Sequence, residues 1–323
     1  MGEREPAGGH LGSPYEAPGE ISPGHPPEPE SMPLPNAQPF IQRLPFPVGL
    51  LFAFLLGGMA GCDRSQGAIS TEDGQLQGRI TITGSSTMAP LVAEVGRRFE
   101  GEHPEVRVDV QTGGSSQGMA DVRRGTAQIG MISRALRPEE SELNGGTIAM
   151  DGIAFIVHED NGVTELTHDA IVGIFTGTIH RWNDVGAGEG EITVVNKANG
   201  RATLEVFLDH FQLSSDAVRP SVIIGENQQG IRTVVGDPGA IAYVSIGTAT
   251  YEAARGTPIR LPAVDGVEPT METVGSGVFP LVRPLTLVTQ QDLNPVVAAF
   301  LAYAASAHVH DLVEGHYFVP VQE

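Results

Sequence analysis

Short apolar strands alternate with amphipathic helices along most of this chain, and this alternation limits the fold more than any other feature. Residues 79–83 alternate apolar and polar side chains, and the apolar residues from Met88 to Phe99 follow at helical spacing. The valines of residues 106–110 start a second unit of the same kind. Consecutive strand–helix units place their strands parallel in one sheet. We therefore predict an α/β fold with mainly parallel sheets flanked by helices.

The alternation continues towards the C-terminus as a second series and a late return strand. Further strands are predicted at residues 129–133, 153–157, 192–195, 222–224, 240–244 and 280–289.

Glycine, serine and threonine follow several of these strands directly. The turns are residues 84–87 (GSST), 113–116 (GGSS), 133–134 (SR) and 200–203 (GRAT). The carboxyl ends of parallel strands lie at one edge of the sheet, where the next helices present free backbone N–H groups. Such an edge favours an anion without any net positive charge. Each turn alone is equally consistent with a Ser/Thr helix cap, but the four together indicate an oxyanion site.

Composition excludes several other classes of protein. The 39 acidic against 19 basic residues give a formal charge of −20, so we expect neither nucleic acid nor an anionic membrane surface as a partner. The single cysteine excludes a disulfide framework and a cysteine-rich zinc site. The 41 glycines and 24 prolines exclude a long helical bundle.

The N-terminal part has a different composition. Residues 1–45, rich in proline and glutamate, are predicted to be a disordered extension or a start assigned too early. Residues 46–61 contain an apolar run shorter than the roughly 20 residues of a membrane span and resemble the hydrophobic region and cleavage site of a bacterial lipoprotein signal. That resemblance implies lipidation of Cys62, with residues 62–78 as a polar tether. An ordinary buried cysteine is the alternative.

Six segments together resemble a known family. They are ITGSSTMAPL from Ile82, GGSSQG from Gly113, AQIGMISR from Ala127, IFTGTIHRWNDV from Ile174, IAYVSIG from Ile241 and RPLTLVT from Arg283. They are similar to the PstS-like phosphate-binding proteins of bacterial ABC phosphate importers, over about residues 80–321.

The resemblance implies a two-lobed, type II periplasmic-binding-protein fold, with two crossing strands as a hinge and the ligand between the lobes. Lobe 1 would comprise residues 79–157 and 281–323, and lobe 2 residues 158–280. The implied protein is a monomeric periplasmic or cell-surface lipoprotein that delivers inorganic phosphate, or a similar oxyanion, to an ABC permease. It would use no cofactor and no metal, and it would perform no chemistry.

The resemblance also implies the ligand residues, which are Ser86, Thr87, the Met88 amide, Ser115, Ser133, Arg134, Arg201 and Thr203. The segment KANGRAT from Lys197 departs from the common form Arg-Glu-x-x-Ser-Gly-Thr, because Arg201 replaces the serine. Some members carry, where Arg134 stands, an aspartate that accepts the proton of monohydrogen phosphate. The choice between phosphate and another oxyanion therefore stays open. Arg201 could instead be a solvated residue paired with Glu205 at i,i+4.

Two further functions remain as alternatives. The same module could bind another oxyanion or serve a sensor. A serine hydrolase is suggested by the Gly-x-Ser-x-Gly pattern around Ser116, followed by Asp292 and by His308 or His316 in hydrolase order. Against a hydrolase, Ser116 lies several residues beyond its strand. A metal site is not expected, since His308 and His310 at i,i+2 cannot share one helical face.

Overall fold

The computed structural model describes residues 75–321, and the structural statements below concern that range. The predictions for residues 1–45 and 46–61, for Cys62 and for most of the tether 62–78 lie outside it. Within the range, no single helix is long and apolar enough to cross a membrane; the segments Pro295–Ala304 and Ala307–Gly315 meet the criterion only together, as a pair bent by 65°.

Twelve strands and nine helices make up the described chain. The strands are β1 (Gly78–Gly84), β2 (Val106–Thr112), β3 (Ile129–Ile132), β4 (Asn144–His158), β5 (Glu165–Leu166), β6 (Thr193–Lys197), β7 (Val222–Ile224), β8 (Ala240–Ser245), β9 (Ile259–Arg260), β10 (Ala263–Val264), β11 (Val282–Thr289) and β12 (Val319–Pro320). The helices are α1 (Ala89–Glu102), α2 (Ser115–Arg124), α3 (His168–Thr176), α4 (Ala202–Phe211), α5 (Asn227–Gly236), α6 (Ile246–Ala253), α7 (Met271–Gly275), α8 (Pro295–Ala304) and α9 (His310–Gly315). Short 3₁₀ turns cover Pro138–Glu140, Trp182–Val185 and Ala307–Val309.

The main sheet runs in the order β2-β1-β3-β11-β4-β8-β6-β7. At one end β1 pairs in parallel with β2 and β3, and at the other β6 pairs in parallel with β7 and β8. Only β4 and β11, in the middle, add antiparallel pairs to this order. The predicted α/β class is confirmed, with helices following the parallel strands as the apolar periodicity indicated.

Strand β4 belongs to both halves of this sheet. Up to Gly152 it pairs with β11, and from Ile153 it pairs with β8. At the exchange, the Ile153 amide donates to the Leu281 carbonyl at 3.0 Å, so two chain segments cross there side by side. Sequence periodicity predicted only residues 153–157 of this strand. Its first half contains several glycines and becomes a strand because β11 pairs with it.

The crossing divides the chain into two lobes, as the two-lobed fold requires. Lobe 1 is taken as residues 78–152 and 282–320, and lobe 2 as residues 153–281. We propose this limit in place of the predicted one at Val157, because residues 153–157 pair with β8 of lobe 2.

Each lobe has its own hydrophobic core. Lobe 1 buries Leu91 and Phe99 of α1 against Phe300 of α8, with the Phe99 and Phe300 rings edge to face at 5.4 Å. Lobe 2 buries a cluster in which Phe207 stacks on Tyr243 with ring centroids 4.4 Å apart. Because the two cores are built separately, the surfaces where the lobes meet can be polar.

Gly84, the last residue of β1, is the site of the first prediction. Its φ is +131°, and a Cβ placed on it would lie 2.3 Å from the Met131 carbonyl oxygen of β3. Backbone of a central strand cannot give way as a flexible side chain can, so Gly84→Ala should lower the free energy of unfolding by about 3 kcal/mol or more in urea titrations. Gly186→Ala is the control, since its φ is +76° but nothing lies within 4 Å of the added Cβ. An equal loss in both variants would contradict the steric explanation.

Candidate functional site: a polar cavity between the lobes

Four helices begin where the lobes face each other. Helices α1 and α2 of lobe 1 start after residues 85–88 and 114, and helices α4 and α5 of lobe 2 start after residues 201 and 226. No side chain caps the first turn of α1, α2 or α4. Two of their first-turn N–H groups already have backbone partners, since the Ala89 amide donates to the Ser85 carbonyl and the Ser116 amide to the Gly200 carbonyl. The helix dipoles favour negative charge at all three helix starts.

These helix starts surround a narrow cavity that is open to solvent on one side. Most of the predicted ligand residues contribute to its wall, while Met88 is buried at the N-cap of α1. The lining residues are Ser85, Ser86, Thr87, Gly114, Ser115, Ser133, Lys197, Arg201, Ala202, Thr203, Gly225 and Asn227.

Arg134 is the predicted ligand residue whose guanidinium the structure does not bring to the cavity. Its Nη1 and Nη2 donate to the two carboxylate oxygens of Glu140 at 2.8 Å each, and its Nε donates to Glu205 at 2.8 Å. Burial alone would raise the pKa of Glu140, but the hydrogen bonds from Arg134 and from the Arg137 amide outweigh it and hold that pKa below its usual value. Arg134 therefore joins Glu140 of its own lobe to Glu205 of lobe 2.

Arg283 of β11 lies directly beneath the wall of the cavity. Its side chain is 1% exposed, and its Nη1 donates to Thr203 Oγ1 at 2.9 Å and to Ser133 Oγ at 3.3 Å. Both of those residues line the cavity. Its Nε and Nη2 donate to Asp151 Oδ2 at 3.1 and 2.8 Å. Arg283 therefore brings a fixed positive charge directly behind two hydroxyls of the cavity wall.

Arg283 is not among the predicted ligand residues, although it begins the family segment RPLTLVT. The sequence does contain a signal for Arg283, which stands within an otherwise apolar strand. An arginine is costly to bury there unless it is paired, so its position indicates a polar partner.

Lys197, at the end of β6, is a second basic residue at the cavity that is not among the predicted ligand residues. It is 3% exposed, and its Nζ donates to Asn227 Oδ1 at 2.9 Å. Burial and the nearby charge of Arg283 lower the pKa of Lys197 to about 7. The Asn227 Nδ2 in turn donates to Thr87 Oγ1 at 3.1 Å, which connects α5 of lobe 2 to the α1 turn of lobe 1.

Arg201 lines the cavity at the start of α4, as a ligand residue would. Its Nη1 donates to Glu226 Oε1 at 3.0 Å. The alternative pairing with Glu205 is not formed; the Glu205 carboxylate instead accepts from Arg134 and Arg137 of the other lobe. Arg201, Arg283 and Lys197 thus bring three basic groups to one place, with the two arginines also paired to Glu226 and Asp151.

The residues proposed for a serine hydrolase are not brought together. Ser116 Oγ donates to Glu205 at 3.3 Å, whereas the His316 Nε2 lies 3.2 Å from Glu94 and the His308 ring stacks beside Tyr303. Neither histidine is placed to take a proton from Ser116. Within residues 75–321, no group of three or more His, Cys, Asp or Glu side chains is arranged to hold a metal ion.

Comparisons with known proteins agree with this architecture. Residues 70–308 match the family model of the PBP superfamily domain. The phosphate-binding protein PstS of Bacillus subtilis is 28% identical over 283 residues, covering 85% of this chain and 91% of the relative.

Two solved structures are similar over 76% of this chain and 100% of their own. One is a putative phosphate ABC transporter substrate-binding protein with bound phosphate from Clostridium perfringens, with 28% identity and a TM-score of 0.71. The other is an ABC-type phosphate transport receptor from Vibrio cholerae, with 26% identity and a TM-score of 0.64. These relatives are substrate-binding proteins, not enzymes. With two lobes, a crossing at β4 and β11 and a polar cavity between them, the chain belongs to the PBP superfamily and is similar to its PstS phosphate-binding proteins.

Proposed function

We propose that this protein captures inorganic phosphate between its lobes and delivers it to the permease of an ABC transporter. The observation that carries the proposal is the meeting of the N-termini of α1, α2 and α4 with the basic groups of Arg283, Lys197 and Arg201 at one small cavity. The names of the relatives, which bind phosphate or serve phosphate transport, support the same ligand.

Capture exchanges the water shell of the anion for fixed donors as the lobes close. The hydroxyls of the cavity wall can donate to a phosphate oxygen, and so can those amides of the first helical turns that do not already donate to a backbone carbonyl. The cations offset the cost of removing the anion's charge from water, because hydrogen bonds to ionised groups are roughly twice as strong as neutral ones.

We further propose a revised set of ligand residues. Arg283 and Lys197 join Arg201 as the charged groups, and Arg134 is assigned to the contact between the lobes. The remaining predicted groups stay in the proposed set, which are the hydroxyls of Ser86, Thr87, Ser115, Ser133 and Thr203 and the amide of Met88.

Titration calorimetry with phosphate, arsenate, sulfate and molybdate tests the proposed ligand. We expect phosphate to bind best, with sulfate rejected by a modest margin, because no carboxylate lines the cavity to repel a fully ionised anion. The Asn227 Oδ1 is the acceptor on the wall that can take the proton of monohydrogen phosphate. Binding of sulfate as tightly as phosphate would make the protein a binding module for another oxyanion, and binding of neither would contradict the proposal.

The proposed location is extracytoplasmic, with a lipid on Cys62 as the membrane anchor. If Cys62 becomes the lipidated N-terminus, Cys62→Ala should release the protein from the membrane or leave it uncleaved. The soluble domain should keep its phosphate affinity, because Cys62 precedes the lobes in sequence. Cell fractionation with mass spectrometry of the N-terminal peptide is the measurement, and an unmodified Cys62 in membrane-extracted mature protein would contradict the anchor.

A further inference from the structure

Lys197 is the single lysine of the chain, and it lines the cavity of the proposed phosphate site. Its side chain is 3% exposed, and its Nζ donates to the Asn227 amide oxygen at 2.9 Å. A neutral amine can also donate that hydrogen bond, so the contact does not require a charge on Lys197. No carboxylate is among the residues that line the cavity with it.

The groups that face Lys197 come from several elements. Arg283 of β11 and Arg201 at the start of α4 are cations, and both disfavour a third positive charge beside them. Glu226 at the start of α5 acts in the opposite direction, but its carboxylate already accepts from Arg201 at 3.0 Å. On β8, the Tyr243 hydroxyl contacts the Lys197 backbone amide at 3.4 Å, and the pKa of that phenol is raised above its usual range by burial.

An anion entering the cavity changes this balance. Its negative charge would lie beside Nζ in a region with little water, where attraction between opposite charges is strong. The ammonium form of Lys197 then gains a partner that the empty site does not offer, whereas the neutral amine gains only a hydrogen bond.

We propose that Lys197 takes up a proton when the anion binds, so that capture by this protein is linked to protonation of one buried amine. The inference rests on the proposed function, since it concerns the same cavity and the same ligand.

The direction of the resulting pH dependence follows from linkage. Below the pKa of about 7 the empty site already holds a charged Lys197, and binding takes up no proton there. Above that pH Lys197 is neutral in the empty site, and each bound anion takes up as much as one proton at Lys197. The lysine then contributes up to a tenfold loss of affinity per pH unit, until the pKa of the occupied site is reached.

Calorimetry at pH 8 in two buffers of different ionisation enthalpy measures the protons taken up with phosphate. The wild-type protein is compared with Lys197→Arg, whose guanidinium stays charged at every pH used. Phosphate contributes its own protonation equally to both proteins, so the difference between them isolates the lysine. We expect the wild type to take up more protons than the variant, approaching one per phosphate, and to lose affinity more steeply between pH 7 and pH 9.

A second measurement uses only the wild-type protein, so it does not depend on whether the larger side chain of Lys197→Arg fits in the cavity. In protein labelled with ¹³C-lysine, the single Cε resonance reports the charge of Lys197 directly, and saturating phosphate should move its titration midpoint upwards by at least one pH unit. An unchanged midpoint, or equal proton uptake by two proteins that both bind, would overturn the inference and leave the proposed function intact. Absence of phosphate binding by the wild type at every pH would overturn both.

Discussion

Arg283→Met is expected to weaken phosphate binding by about 30-fold to several thousand-fold and to destabilise the fold at the same time. Arg283 and Asp151 are 1% and 0% exposed and form a buried ion pair at 2.8 Å. Without the guanidinium, the anion loses a desolvated cation, which typically costs about 2–5 kcal/mol of affinity. The anion is also repelled by the carboxylate of Asp151, which is left unpaired behind the cavity wall. That buried charge alone should lower the free energy of unfolding by about 3–5 kcal/mol.

A double variant separates the two effects. Arg283→Met combined with Asp151→Asn removes both charges, so we expect it to recover much of the lost stability in urea titrations. Its phosphate affinity, measured by calorimetry, should stay low, because the cation behind Thr203 and Ser133 is still absent. Recovery of affinity together with stability would show that Arg283 supports the fold only.

Glu205→Gln is expected to weaken phosphate binding by about 10- to 150-fold while leaving the fold almost as stable. Glu205 of lobe 2 accepts hydrogen bonds from Arg134 at 2.8 Å and from Arg137 at 3.0 Å, both in lobe 1. Both bonds run from one lobe to the other, so opening of the cleft would break them and their loss should favour an open form over a closed one. Hydrogen bonds to charged groups contribute about 1.5–3 kcal/mol, which converts to that range of affinity.

Most of the loss of affinity in Glu205→Gln should come from a faster dissociation rate of phosphate, since a less stable closed form releases its ligand sooner. Asp209→Asn is the matched control on the same helix. Its carboxylate lies 3.7 Å from Arg137 but is 75% exposed, and such a solvated pair contributes little. If the two variants release phosphate at the same rate, the Glu205 contact does not hold the lobes closed.

Local patterns in the sequence determined the elements and the kind of site. Strand and helix periodicities predicted most of the strands that build the two halves of the sheet, because side-chain alternation reflects which face is buried. The turns at residues 84–87, 113–116 and 200–203 could be predicted because glycine, serine and threonine are typical of a helix N-terminus that follows a parallel strand. An oxyanion site at the strand ends followed from those turns, with Ser115 and Thr203 among its residues.

Tertiary structure alone decided which charged groups reach that site. Ser133 lines the cavity, whereas the side chain of the next residue, Arg134, contacts Glu140 and Glu205. The two-residue sequence does not show which of these side chains faces the cavity. Arg283 reaches Ser133 across 150 positions of sequence, and β4 changes partner at Gly152 only because β11 returns beside it. Periodicity reports burial along one segment, but the direction of a charged side chain depends on partners supplied by distant strands.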